Sequence, residues 1–101
     1  MRQLRLKRED EKYIFICHGD IPDKTLNSIK IYLEEEAEMI KEHSFSENPL
    51  LWEDGTFCCQ VGYVPCEKES VVSLPEKGSV LAAGSKGGFI VAAECKNRKI
   101  G

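Results

Sequence analysis

No run of apolar residues in this chain approaches the length of a membrane span, and the opening Met1-Arg2-Gln3-Leu4-Arg5 leads into no stretch long enough for a signal-peptide core. The expectation is a cytoplasmic protein with no membrane partner. An excess of basic residues is missing as well. Fourteen Lys and Arg stand against 17 Asp and Glu, a net charge of −3, which argues against direct nucleic-acid binding. Regular cysteine spacing is the third absence. Cys17, Cys58, Cys59, Cys66 and Cys95 form an odd set without the pattern of a secreted disulfide framework, so reduced thiols are expected.

Chelating and catalytic motifs are absent too. There is no C-x-x-C or H-x-x-x-H spacing, and the neighbours Cys17-His18 and Cys58-Cys59 fall on opposite faces of any strand, so neither pair can hold one ion. The same geometry defeats a Cys17/His18 nucleophile pair, and His43 falls at the far end of the expected helix. The run Gly84-Ser85-Lys86-Gly87-Gly88 lacks the order of a phosphate-binding loop and reads as a turn. The reading is therefore of a protein that is not an enzyme, with no catalytic residues, no metal and no cofactor.

What is present is the composition of one ordinary globular domain spanning 1–101: 42% apolar and 31% charged residues. The charge is unevenly spread. Arg2, Arg5, Lys7, Arg8 and Lys12 make the start basic, whereas Glu34, Glu35, Glu36, Glu38, Glu42, Glu53 and Asp54 make the middle acidic.

Leu4 and Leu6 alternate with Arg5 and Lys7, and Tyr13 to Cys17 follow a charged turn, which predicts two strands ending at Gly19. Asp20 or Asp23 can cap a helix predicted from about Pro22 to His43, whose stripe of Leu26, Ile29, Leu33, Ala37 and Ile40, widened by Tyr32 and Met39, must lie on a sheet. Ser44 to Asn48 and then Pro49 break the helix, Leu50-Leu51-Trp52 is an apolar loop or short strand, and Asp54-Gly55 signals a turn. Thr56 to Val64 reads as the central strand, with Phe57, Cys59, Val61 and Tyr63 on one side. Two further strands, Val71 to Leu74 and Ser79 to Gly84, flank a Pro75/Gly78 turn. Phe89 to Ala93 fits either a strand pairing back or the first turns of a helix.

A shift of 68 residues superposes Leu4 on Val72, Leu6 on Leu74, Tyr13 on Leu81, Phe15 on Ala83 and Gly19 on Gly87. It suggests an internal repeat: residues 1–69 as a complete unit and 70–101 as a partial second one, too short to repeat the helix.

The order of strand, strand, glycine, long amphipathic helix and a strand ending Gly62-Tyr63-Val64-Pro65, followed by Leu74-Pro75-Glu76-Lys77-Gly78 and Gly87, resembles the GyrI-like effector-binding domain. That domain is the ligand sensor of multidrug-responsive transcription regulators. The resemblance implies an α+β fold, an antiparallel sheet packed by one long helix in a βαββ unit, with the second unit incomplete. It also implies a hydrophobic cleft with aromatic walls and a carboxylate for an amphipathic, often cationic, small molecule. The acidic residue that such domains place on a late strand of the second unit has no counterpart here.

For such a site Trp52, Tyr63, Tyr32 and Tyr13 are the candidate ligand-binding aromatics, and Glu36 and Glu53 the candidate counter-charges. Core packing and a solvated surface are the competing roles for these residues. The incomplete second unit leaves sheet surface that proteins seldom expose, so a homodimer is expected. Two alternative functions follow from the same resemblance: a protein-interaction module of the gyrase-inhibitor kind, with a protein partner, and a small hydrolase.

Overall fold

The computed structural model describes residues 2–8, 16–19, 21–74 and 78–95. It is an α+β arrangement in three layers with antiparallel sheets. The elements in chain order are β1 (Arg2–Lys7), β2 (Ile16–His18), α1 (Asp23–Glu35), α2 (Ala37–Ile40), β3 (Leu50–Glu53), β4 (Cys58–Pro65), β5 (Glu69–Leu74), β6 (Val80–Ser85) and β7 (Gly88–Glu94). A five-stranded sheet runs β2-β6-β7-β4-β3, and β1 pairs with β5 in a separate two-stranded ribbon.

The middle of the large sheet is β7, not β4. Residues 88–93 are buried on both faces, so β7 shows none of the in-out polarity that marks a half-exposed strand, and its sequence did not separate strand from helix. The β6–β7 hairpin closes through Lys86 and Gly87, where Gly87 takes φ +81°, a conformation that costs other residues a steric penalty.

Alternation along β6 and β7 feeds two cores. Val80, Ala82, Phe89, Val91 and Ala93 meet Leu4 and Leu6 of β1, and Val72 and Leu74 of β5. Leu81, Ala83, Ile90 and Ala92 meet Ile29, Leu33 and Ile40 of the helices, together with Cys59 and Val61 of β4. The ribbon therefore covers the sheet face opposite the helices. Arg8 fastens it there by donating from Nη1 to the carbonyls of Ser85 (2.7 Å) and Gly88 (3.2 Å) at the two ends of the hairpin turn.

Three expectations change. The single helix is divided at Glu36 (φ −105°, ψ 18°), where the closely spaced Glu34, Glu35, Glu36 and Glu38 set like charges along the same turns and oppose continuous helix. Pro22 occupies the position before the first helical turn, and no side-chain cap is made there. The thiols are not all reduced: Cys58 and Cys95 form a disulfide, their Cα atoms 5.6 Å apart, one step beyond the Cys59–Glu94 pair that ends the β4–β7 ladder.

After α2 the chain runs beside β4. Tyr63 N–H donates to the His43 carbonyl (2.7 Å) and Phe45 N–H to the Tyr63 carbonyl (3.1 Å). Leu4 stands directly opposite Val72 in the ribbon, the residue that the 68-residue shift superposes on it. No helix among the described residues is long and apolar enough to cross a membrane.

Candidate functional site

The apolar stripe of α1 lies on the sheet, so the residues on its two flanks face different ends of the sheet. On one flank Tyr32 meets Trp52 of β3, with ring centroids 6.4 Å apart and planes tilted by 47°. Both rings are half-buried and pack on the helix-side core. Burial, then the charge of nearby Glu36, pushes the Tyr32 hydroxyl above its ordinary pKa. Tyr32 is thus close to both Trp52 and Glu36.

The other candidates lie elsewhere. Side chains along β3 alternate between half-buried and exposed, so Glu53 is turned to the face opposite Trp52. Tyr63 is half-buried and donates its hydroxyl proton to the Lys86 carbonyl (3.1 Å) across the β6–β7 turn. Tyr13 lies outside the described residues.

On the second flank of the helix is a cleft of about 410 Å³. Leu33, Glu34 and Ala37 form one wall, and Ala83, Gly84, Ser85 and Ile90 of the β6–β7 hairpin form the other. It exists because β6 presents alanine and glycine beneath the helix, leaving volume that larger side chains would fill. The lining is apolar apart from the exposed Glu34 carboxylate and the hydroxyl of Ser85. A volume of this size and a mainly apolar wall with few polar groups suit a small organic ligand. Leu33 and Ala37 belonged to the predicted stripe; the small residues at 83 and 84 were the available signal for a void beside it.

The remaining reactive groups are quiet. Burial, then the charges of Asp54 and Glu94, pushes the Cys59 thiol up to about 12, and burial raises Cys66, which donates from Sγ to the Leu6 carbonyl (3.7 Å). Both thiols are buried and protonated at neutral pH, hence poor nucleophiles. Among the described residues no group of three or more His, Cys, Asp or Glu side chains is placed to hold a metal ion.

No family model, curated protein or solved structure matches the chain.

Proposed function

We propose that this chain is a non-enzymatic binding domain for an amphipathic, cationic small molecule, of the GyrI-like effector-binding kind. The observation that carries the reading is the cleft between the helices and the β6–β7 hairpin, apolar along its walls and bearing one carboxylate, Glu34. An apolar body enters the space between Leu33, Ala83 and Ile90, while Glu34 meets the charge where the cleft opens to water. Glu34 is the lining's one acidic group and has no basic partner in that lining, an arrangement suited to recognition of a cation.

Titration calorimetry with tetraphenylphosphonium and the neutral triphenylphosphine oxide tests the reading. The cation binds more tightly, Glu34→Gln removes most of that preference, and Ala83→Leu, which fills the cleft, weakens both ligands at least tenfold. Equal binding of the cation by the Ala83→Leu variant would place the site elsewhere and overturn the proposal.

A further inference from the structure

On the opposite face of the large sheet, a groove of about 660 Å³ runs along β5. One wall is residues 70–73, four consecutive residues of one strand. Successive side chains of a strand point to opposite faces, so a groove lined by consecutive residues follows the strand's backbone edge. Residues 44–46 form the other wall, and Gln60 and Ala93 of the large sheet lie in the floor.

The direction of the β5 backbone groups follows from the ladder. Arg8 N–H donates to the Lys68 carbonyl (3.0 Å), continuing the register that pairs Arg2 with Leu74 and Lys7 with Glu69. In an antiparallel ladder the N–H and C=O of one residue point to the same side, and the side alternates residue by residue. Lys68, Ser70, Val72 and Leu74 therefore address β1, whereas Glu69, Val71 and Ser73 direct their backbone groups to the other edge, those of Val71 and Ser73 along the groove. Among the described residues, none makes a hydrogen bond to these outward groups.

The two edges of the ribbon differ. β1 carries Arg5 and Lys7, of which Arg5 reaches across the ribbon to Glu69, whereas Glu69 is the one charged residue of β5, so charge deters strand addition more on the β1 edge. On β5, Glu69 is engaged by Arg5 (3.0 Å), Ser73 is uncharged, and Val71 is 49% exposed. Among the described residues, no Lys, Arg, Asp or Glu lines the groove itself.

We infer that β5 is a docking edge for an extended, uncharged peptide segment of another protein, added as a third strand of the ribbon through the backbone groups of Glu69, Val71 and Ser73. A single strand fits because the groove has a floor: Gln60 and Ala93 lie beneath the free edge, so a second copy of this domain, bringing its own large sheet beneath its ribbon, would collide there. The uncharged lining excludes a segment carrying buried charges. Alternating polar and apolar side chains match the mixture of serine and valine along β5.

The probe is the capped peptide acetyl-Thr-Val-Thr-Val-Thr-Val-amide, followed by amide NMR and hydrogen exchange on the intact chain. Before addition, the amides of Ser70, Val72 and Leu74 exchange slowly and those of Glu69, Val71 and Ser73 rapidly. On addition, the latter three shift and become protected by at least about tenfold. Val71→Pro removes one outward N–H and no N–H of the β1 ladder, so it abolishes peptide protection while Ser70 and Val72 stay slow.

Three results overturn the inference: no shift along β5 at millimolar peptide, undiminished binding by Val71→Pro, or fast exchange at Ser70 and Val72 in the free protein. Concentration-dependent protection of Glu69, Val71 and Ser73 without peptide would also overturn it, by assigning the edge to a second copy. None of these outcomes touches the small-molecule cleft on the other face.

Discussion

Thr25 of α1 donates its hydroxyl proton to Oδ2 of Asp54 at 3.0 Å, joining the first turns of the helix to the β3–β4 turn. The other oxygen, Oδ1, accepts from Thr56 N–H (3.0 Å), the Thr56 hydroxyl (2.9 Å) and Phe57 N–H (2.8 Å). One carboxylate thus organises a turn and fixes one end of the helix over the sheet.

These bonds hold the Asp54 carboxyl down to about 2, the Thr56 N–H contributing most, with partial desolvation opposing them. A folded-state pKa below the unfolded value of about 3.9 means stability that is present above about pH 4 and is lost as pH falls toward about 2. Urea midpoints of the parent and Asp54→Asn should differ by a constant amount near neutrality. That gap should close between about pH 4 and about pH 2; a gap independent of pH would contradict the bonding described.

The Cys58–Cys95 disulfide spans 37 residues and ties the start of β4 to the residue that follows β7. Loop-closure reasoning assigns a bridge of this span about 2–4 kcal/mol. Denaturation with and without dithiothreitol should show that loss, and the Cys58→Ser/Cys95→Ser double variant should be insensitive to the reductant. Maleimide labelling of the folded, unreduced protein should spare Cys59 and Cys66, both buried. Labelling of Cys59 at a rate typical of an exposed thiol would refute its placement.

Gly62 is required by a close approach. A Cβ there would overlap the backbone of Phe45 as the chain crosses β4 on the ribbon side. Gly62→Ala is therefore expected to destabilise the fold by about 1–3 kcal/mol, measured as a shift in the urea midpoint. An unchanged midpoint would mean that residues 44–46 are not held against β4.

The patterns that depend on local periodicity were the legible part of the fold. Ile29, Leu33 and Ile40 recur at helical spacing and all reach the helix-side core, and Phe57, Cys59, Val61 and Tyr63 share that face as their alternation implied. Partner choice was not legible. β1 pairs with β5, from Arg2 opposite Leu74 to Lys7 opposite Glu69, across most of the chain's length. Strand alternation states which face is buried and not which strand lies alongside.

The candidate site was legible only in part. Tyr32 and Trp52 do meet, but on the flank of the helix away from the cleft, whose walls depend on Ala83 and Gly84. A void is made by side chains that are too small to fill it, and sequence periodicity records large apolar residues far more clearly than missing volume.

The most direct test of the cleft is a methyl and indole NMR titration with tetraphenylphosphonium. The methyl signals of Leu33, Ala83 and Ile90 should shift together and saturate, while the Trp52 indole signal stays in place. Movement of the Trp52 signal with the Leu33, Ala83 and Ile90 methyls unmoved would contradict this and assign the ligand to the Tyr32–Trp52 flank.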